Sequence, residues 1–390
     1  MEEKIKIGLF IDTFFPMMDG VVSVVDNYAK RLTKYADVTV FTIEGRTDYD
    51  DSVFPYKVVR CKSMKFKKMD YDLGLPKKDK SFMEALNNSN LDIVHIHSPF
   101  SLGKIGVKYA KKHNIPVIAS NHSQFKKDFY KATKSNLLTN IMLKSVMKVF
   151  NQCDENWSVN SEVAKIFYDY GAKVMPKVED NATDMVYLQT STIKDEFFKK
   201  YNIQEDEKVL FFLGRIVALK NVFFLLDVMK YLKDHSFKFK MFYLGSGPDL
   251  ELLNEKIKQC DLNDCVFTLG KVMDREYITQ LYRMSDLFVF PSKYDCSSIV
   301  QIEAASQKIP TLFLKGAVTA CDIKDGVNGY LSEDSVEEYS KKIIEIFDNQ
   351  KLLAEVKENV YKDIYVNWDT KVDQIYNKYI EIIKNKEKGL

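Results

Sequence analysis

The sequence predicts an α/β protein with two domains, each built around a parallel sheet. Three observations support this prediction. Short, nearly continuous apolar runs alternate with segments of helical periodicity, and the alternation occurs twice along the chain. A stretch without a strong period, around residues 173–189, separates the two series. The chain has 390 residues, which is more than a single hydrophobic core normally serves.

The first series opens with an apolar strand at residues 4–12, followed by a loop at 13–20. Further strands are expected at residues 38–43, 91–97, 116–120 and 155–159, and helices at 21–32, 104–113, 137–150 and 161–170. The periodic pattern lapses near residues 177–185. We therefore expect the first domain to span residues 1–178.

The second series repeats the same alternation. Strands are expected at residues 208–213, 239–244, 266–269 and 287–290, and helices at 222–234, 249–260, 274–284 and 299–306. A helical tail runs through residues 336–385 and ends in a charged Lys/Glu segment. We expect a second domain at 186–365 and a C-terminal helix with a charged tail at 366–390, packed back on the first domain. Two Rossmann-like domains facing each other across a cleft are the simplest architecture.

Composition excludes several classes of protein. The chain carries 57 Lys and Arg against 55 Asp and Glu, and this balance gives no support to nucleic-acid binding. Acidic residues precede a short apolar run at the amino terminus, so a secretory signal is not expected, and no stretch approaches a membrane span. The 6 cysteines form no CxxC pair and lie far from histidines, which argues against a zinc site or a disulfide framework. A cytoplasmic location is expected.

Polar residues follow three strands of the second domain at the point where each strand ends. GRIVALKN contains Arg215 and Lys220, GSGPDL contains Gly245, and the third loop contains Asp295. Glu303 lies about one turn into the helix after that loop. Because the carboxyl ends of parallel strands share one edge of a sheet, we expect these residues on one rim, where ligands bind.

These residue types suit a ligand that carries phosphates and vicinal hydroxyls. The fork of Arg215 and the point charge of Lys220 together match a diphosphate. Glycines let the backbone approach a ligand closely, and carboxylates accept paired hydrogen bonds from a ribose or a sugar. Free N–H groups at the helix start, around Ser298 to Val300, favour an anion. Taken singly, each residue also has an ordinary explanation, such as an exposed loop cation or a tight turn.

The order of these motifs resembles that of the retaining family 4 glycosyltransferases of GT-B fold. The second half shows GR-x4-KN, YLGSGP, FPS-x2-D-x7-EAAS and DGVNGYL in turn. In the first half, IDTFFPMMDGV, DIVHIHSPFSLG and ASNHSQF are similar to the family's acceptor-side loop, its following strand and its His-Thr-x-Phe motif. DNATD at residues 180–184 resembles a degraded form of the family's Asn-Gly-Val-Asp. The resemblance covers most of the chain.

The resemblance implies a role for each matched position in the second domain. Arg215 and Lys220 would hold the pyrophosphate of the donor and stabilise the leaving nucleoside diphosphate. Glu303 would bind the ribose, and Asp295 would hold hydroxyls of the transferred sugar. The implied donor-binding residues of this domain are Arg215, Lys220, Gly245, Asp295, Ser298, Ile299, Val300 and Glu303.

In the first domain the resemblance implies that His122 lies beside the sugar and that Gly20 lets its loop approach the donor. His95 and His97, at the polar end of a strand, are expected to be structural. The implied chemistry is transfer with retention by His122, Arg215, Lys220 and Asp295, the acceptor hydroxyl attacking from the leaving-group side. The nucleotide sugar, with UDP as the expected nucleotide, is a substrate. No tightly bound cofactor is implied, and no motif requires a divalent metal.

The chain departs from the family pattern at several positions. Asp295 stands where the family usually has Glu, Ser297 and Ser298 replace an aromatic residue and a Gly, and a Gly is usual near Lys308. The paired Gly of the first loop is Asp19-Gly20. These departures leave open a second hypothesis, a non-catalytic or weakly active sugar-nucleotide-binding subunit that works with a partner glycosyltransferase.

A basic, amphipathic segment in the first domain suggests the acceptor. Residues 126–148 contain six lysines against one acid, interleaved with apolar side chains. The lysines expected at an anionic membrane or a lipid acceptor are Lys126, Lys127, Lys131 and Lys134. A solvated face over a packed helix is the competing explanation. Because HSPFSLG also resembles the diacylglycerol glucosyltransferases of the family, we favour a lipid or glycan acceptor and a peripheral position on the inner face of the membrane.

Two other enzyme classes are less well supported. An NAD-dependent dehydrogenase would need GxGxxG after the first strand, and the sequence has no such motif there. A metal-dependent GT-A transferase would need DxD at a strand end. The acidic runs at residues 48–51 and 70–72 match by letters but fall in predicted loops.

Overall fold

The computed structural model describes residues 4–17, 19–46, 48–65, 72–297 and 299–389. The chain forms two compact units. The first consists of Met1–Asn181 together with Trp368–Leu390, and the second of Ala182–Asn367.

The first unit contains a seven-stranded parallel sheet with the order β3-β2-β1-β6-β7-β8-β9. Strands β4 and β5 form a separate antiparallel ribbon. The strands are β1 (Lys6–Phe10), β2 (Asp37–Ile43), β3 (Lys57–Cys61), β4 (Ser63–Met64), β5 (Leu73–Gly74), β6 (Ile93–Ile96), β7 (Val117–Asn121), β8 (Glu155–Ser158) and β9 (Lys177–Val178). The helices that follow them are α1 (Gly20–Leu32), α2 (Lys80–Asn87), α3 (Ser101–His113), α4 (Phe125–Thr133), α5 (Asn136–Phe150) and α6 (Ser161–Asp169).

The second unit contains a six-stranded parallel sheet with the order β12-β11-β10-β13-β14-β15. Its strands are β10 (Lys208–Leu213), β11 (Phe239–Leu244), β12 (Val266–Gly270), β13 (Leu287–Phe290), β14 (Thr311–Leu314) and β15 (Tyr330–Ser332). Its helices are α7 (Lys194–Lys200), α8 (Val222–Asp234), α9 (Leu250–Gln259), α10 (Arg275–Met284), α11 (Ile299–Ser306), α12 (Val336–Asp348) and α13 (Gln350–Ile364). Central strands such as β13 are buried along their whole length, which explains their unbroken apolar sequence.

The strand order reverses at one point in each sheet, between β1 and β6 in the first unit and between β10 and β13 in the second. In a doubly wound sheet the loops on either side of this switch point diverge and leave a crevice at the carboxyl ends of the strands. The loops that follow these four strands are therefore the expected places for a ligand site.

The last helix, α14 (Trp368–Glu387), belongs to the first unit. Its Tyr379 stacks on Trp157 with ring centroids 5.9 Å apart, and its Trp368 packs edge-on against Tyr28. Its Lys371 donates to the buried Glu179 at 3.0 Å. The expectation that the C-terminal helix packs back on the first domain is confirmed.

The α/β prediction with two Rossmann-like sheets is also confirmed. The sequence pattern did not predict the strands β3, β4, β5, β9, β14 and β15 or the helices α2, α4 and α7, and it predicted the tail as one helical region. The tail instead forms α12, α13 and α14, with breaks at Asn349 and at residues 365–367. No described helix combines the length and the apolar character that crossing a membrane requires. All six cysteines are free thiols.

Candidate active site

At the switch point of the second sheet, side-chain hydrogen bonds join the loops that follow β10 and β13. Lys220 Nζ donates to Asp295 Oδ1 at 2.5 Å, and the second carboxylate oxygen accepts from the Ser292 hydroxyl at 2.5 Å. The Asn221 amide donates to the backbone oxygen of Pro291 at 2.9 Å. Lys220 and Asp295 are therefore brought together as predicted, but as an ion pair that partly neutralises both groups.

Arg215 differs from Lys220 in exposure and in charge compensation. It lies two residues beyond the end of β10, is exposed, and makes no hydrogen bond or ion pair with any residue that the structure describes. The side chains of Lys220 and Asp295 are only 19% and 18% exposed. An anion at this edge would meet the uncompensated charge of Arg215 and compete with Asp295 for Lys220.

The glycines of the loop after β11 are required by contact with the loop after β10. Gly245 has φ +145°, and a Cβ there would lie 1.9 Å from the oxygen of Gly214. A Cβ on Gly247 would lie 2.2 Å from the oxygen of Ile216. These loops also share hydrogen bonds, such as Ile216 N to Ser246 O at 3.0 Å. Close approach of backbone to backbone, rather than to a ligand, accounts for both glycines.

Glu303 is nearly buried, and two side chains from α10 hold its carboxylate. Arg275 donates to Oε1 at 2.7 Å, and the Tyr282 hydroxyl lies 3.2 Å from Oε2. Arg275 also pairs with Asp184 at 2.6 Å. Burial and the charge of Glu303 raise the pKa of Tyr282, so its hydroxyl keeps its proton. Glu303 thus has partners of its own, and the described contacts do not join it to Asp295.

Arg275 and Tyr282 are not apparent as site residues from the sequence pattern, although the sequence carries one signal for Arg275. Asp274 caps α10 by accepting from the next two backbone N–H groups after Arg275. A cation at the first position of a helix is disfavoured by the helix dipole. An arginine there therefore indicates a compensating carboxylate, which Glu303 and Asp184 supply.

Replacing Arg275 by Met is expected to reduce stability by about 1–2 kcal/mol, because it leaves the Glu303 carboxylate buried without its cation. The loss stays at the low end for a buried ion pair because the Arg275 side chain is 45% exposed. Thermal unfolding measures this change. Arg275→Lys is the control, and unchanged stability in Arg275→Met would show that this ion pair does not stabilise the fold.

The start of α11 carries the remaining predicted donor contacts. Ile299 and Val300 form its first turn, as expected from the sequence, and the Val300 oxygen lies 3.1 Å from the Tyr282 hydroxyl. Ser298 lies outside the described residues. Lys308, at a position where the family usually has Gly, has φ +60° just beyond this helix.

In the first unit, three histidines lie close together at the ends of β6 and β7. The rings of His95 and His97 lie 4.1 Å apart, and His97 Nδ1 lies 3.2 Å from His122 Nε2. Both nitrogens of His95 have partners, Tyr379 at 2.6 Å and Ser120 at 2.8 Å. His95 and His97 are buried as structural residues would be, whereas His122 is half-buried.

Burial keeps these imidazoles neutral. It lowers the pKa of His95 and of His97 well below the usual value, and it lowers the pKa of His122 to about 4. A neutral His122 is a weak base near pH 7 and can act as a hydrogen-bond donor through one nitrogen.

The loop after β1 ends at a helix cap. Asp19 accepts hydrogen bonds from Val21 N and Val22 N at 2.9 Å, and Gly20 begins α1. A Cβ on Gly20 would meet no described atom within 4 Å, so the described part of the chain does not require glycine there. At the same switch point the buried Asp12 accepts from the Ser98 hydroxyl at 2.6 Å.

The basic segment divides into a packed side and an exposed side. Phe129 and Met147 join the core, whereas Leu137 and Ile141 are 71% and 55% exposed. Tyr130 and Leu138 are also exposed. The predicted lysines lie on α4 or at its end, and all are exposed: Lys126, Lys127, Lys131 and Lys134.

The acidic runs that resemble DxD make other contacts. Asp51 pairs with Arg60 at 2.7 Å and Asp72 with Arg46 at 2.8 Å, while Asp70 lies outside the described residues. Within the described ranges, no group of three His, Cys, Asp or Glu side chains is placed to hold a metal ion.

Comparison with known proteins gives the class to which this fold and site belong. The family model "Glycosyltransferase Family 4" matches residues 18–177, and "Glycosyl transferases group 1" matches residues 193–363. The chain is a glycosyltransferase. It belongs to family 4 of these enzymes, which have the GT-B fold.

Two curated relatives carry the same name, alpha-monoglucosyldiacylglycerol synthase. The protein of Acholeplasma laidlawii is 26% identical over 380 residues, which cover 91% of each chain. That of Streptococcus pneumoniae is 27% identical over 323 residues, covering 79% of this chain and 70% of the relative.

Solved structures share the fold at lower identity. HepE of Anabaena in complex with UDP aligns with a TM-score of 0.77 at 14% identity, over 97% of this chain and all of that one (100%). Sucrose-phosphate synthase of Thermosynechococcus elongatus aligns with a TM-score of 0.78 at 16% identity, over 98% and 100% of the two chains.

Proposed function

We propose that this protein is a retaining glycosyltransferase that moves a sugar from a UDP-sugar to a hydroxyl of a lipid or glycan acceptor in cell-envelope glycoconjugate synthesis. The observation that carries the proposal is the exposed Arg215, which pairs with no described residue and shares the loop after β10 with Lys220 of the Lys220–Asp295 pair. A nucleoside diphosphate supplies the negative charge that this edge accommodates. UDP is supported by its presence in the complex of HepE.

Each residue of the site has a separate role in the proposed transfer. Arg215 and Lys220 bind the diphosphate and stabilise the charge that grows on it as the bond from the sugar anomeric carbon to the phosphate oxygen breaks. Diphosphate binding at Lys220 releases Asp295 to accept hydroxyls of the transferred sugar. The acceptor oxygen bonds to the anomeric carbon on the side of the leaving group, and its proton passes to the leaving phosphate oxygen. Glu303, held by Arg275, accepts from the ribose hydroxyls.

A lipid acceptor, diacylglycerol in the first instance, is supported by the names of the two curated relatives and by the surface of α4 and α5. On these helices exposed lysines lie beside exposed Leu137, Leu138 and Ile141. Cations with adjacent apolar side chains suit an anionic membrane surface. The protein would then act as a peripheral protein on the cytoplasmic face of the membrane.

The donor can be identified by a thermal-shift panel of UDP, GDP and ADP with their common sugar conjugates. A ligand that binds only the folded protein raises the Tm, by an amount that corresponds to about 2.7 kcal/mol at a hundredfold excess over Kd. UDP and UDP-sugars are expected to stabilise the wild type but not Arg215→Ala. Stabilisation by none of the nucleotides would refute the proposed donor site.

Membrane binding should depend on the α4 lysines. Replacing Lys126, Lys127, Lys131 and Lys134 together by Gln is expected to weaken binding to phosphatidylglycerol vesicles by up to about 1,000-fold, since each lysine near an anionic surface contributes about 1 kcal/mol. Vesicle sedimentation at low and high salt measures this.

The control for that experiment replaces exposed lysines of other elements in the same unit, at Lys77, Lys78, Lys80 and Lys112. Both variants lose the same charge, so a general electrostatic effect would weaken them equally. Equal binding by the two variants would exclude α4 as the membrane contact.

A further inference from the structure

His97 is the only partner that the described residues offer to His122, and its own second nitrogen has none. His97 Nδ1 lies 3.2 Å from His122 Nε2, and the two rings meet edge to edge, with centroids 5.5 Å apart and an interplanar angle of 18°. His97 Nε2 is buried and has no hydrogen-bond partner in the described part of the chain. His122 Nδ1 likewise makes no hydrogen bond to a described residue, but His122 is only half-buried.

We infer that His97 is a positioning residue that fixes the tautomer of His122, with the proton on Nδ1, so that His122 presents a hydrogen-bond donor to its ligand. The catalytic consequence rests on the proposed function, whereas the tautomer itself does not.

The number of protons decides which ring donates. Each neutral imidazole carries one N–H, and the bond between His97 and His122 contains one of them. If His122 supplied that proton, the proton of His97 would lie on the buried Nε2, where no described residue accepts it. A buried N–H without an acceptor costs about 1–3 kcal/mol and is rare in folded proteins. The proton of the bond therefore belongs to His97 Nδ1.

The tautomer of His122 follows from that of His97. Because His122 Nε2 accepts, the single proton of this neutral ring lies on Nδ1, the nitrogen to which no described residue bonds. His95 cannot reverse this arrangement, since both of its nitrogens are occupied by Tyr379 and Ser120. The low pKa of the three rings, caused by burial, keeps a second proton off the pair at neutral pH.

A fixed Nδ1–H donor restricts what His122 can do in the proposed reaction. It can donate to an oxygen of the transferred sugar or of the acceptor, and this contact strengthens as negative charge builds on that oxygen. It cannot remove the proton of the acceptor hydroxyl, because Nδ1 already carries one. The departing phosphate oxygen is therefore the group that accepts the proton of the acceptor hydroxyl.

The tautomer can be read directly by long-range ¹H–¹⁵N correlation spectroscopy of the full chain labelled with ¹⁵N-histidine. The chain has only 5 histidines, and the signals of His122 can be assigned from a His122→Gln sample. The wild type is expected to show a protonated Nδ1 and a bare Nε2 for His122. The opposite pattern would overturn the inference.

Two substitutions of His97 test its role. In His97→Asn the side-chain amide nitrogen takes the place of Nδ1 and still donates, so His122 should keep its tautomer and kcat should stay within about twofold of the wild type. In His97→Leu the donor is lost, the Nδ1–H form should no longer dominate, and kcat should fall about tenfold with UDP affinity unchanged. An unchanged His122 tautomer in His97→Leu would refute the positioning role.

Failure of the proposed function would look different. A wild-type protein that transfers no sugar from any nucleotide sugar, yet shows the Nδ1–H form of His122 and its loss in His97→Leu, would refute the function and leave the inference intact.

Discussion

Arg215→Ala is expected to lower the rate of sugar transfer about 100- to 1,000-fold while leaving the Tm of the free protein unchanged. The loss follows from the role proposed for this guanidinium, because removing one preorganised donor from developing charge typically costs this much. Stability should not change, since Arg215 is exposed and bonds to no described residue. Steady-state kinetics with UDP-glucose and thermal unfolding measure the two quantities.

Arg215→Lys serves as the control for that variant. It keeps the positive charge but loses the fork that grips two phosphate oxygens, so its rate should fall between those of the wild type and Arg215→Ala. A fully active Arg215→Ala protein would remove this residue from the donor site.

Gly245→Ala is expected to destabilise the second unit by about 2–4 kcal/mol, since overpacking and backbone strain act together. The added Cβ would lie 1.9 Å from the oxygen of Gly214, and φ is +145°, which side chains disfavour. For a unit of this size the Tm should fall about 2–4 °C for each kcal/mol. Thermal or urea unfolding provides the measurement.

The matched control for Gly245→Ala is Gly316→Ala. Gly316 also has a positive φ, +78°, but a Cβ there would meet no atom of the described residues within 4 Å. It should therefore report the backbone strain alone, about 1 kcal/mol. If the two variants lost equal stability, the close contact between the loops after β10 and β11 would not account for the destabilisation of Gly245→Ala.

Most strands of both sheets could be predicted because buried parallel strands consist of unbroken apolar runs in the sequence. β10 and β13 read KVLFFL and LFVF, and their flanking glycines and prolines mark where each strand stops. β15 is a three-residue edge strand, and its short sequence carries no comparable signal.

The candidate site could be predicted only as far as the strand ends. The topology rule brings Lys220 and Asp295 to one rim, but their ion pair depends on side-chain reach across the switch point, 75 residues apart in sequence. The pairing of Glu303 with Arg275 likewise joins α11 to α10 and follows from packing rather than from local pattern. The hydrogen bond between His97 and His122 depends on the spacing of β6 and β7.

The anomeric configuration of the product distinguishes retention from inversion. The protein would be incubated with UDP-α-glucose and vesicles that contain diacylglycerol, and the extracted glycolipid analysed by ¹H NMR. An α-linked glucosyl lipid is expected, formed by the wild type and nearly absent with Arg215→Ala. A β-linked product would contradict retention, and the absence of any glycosylated lipid would contradict the proposed acceptor.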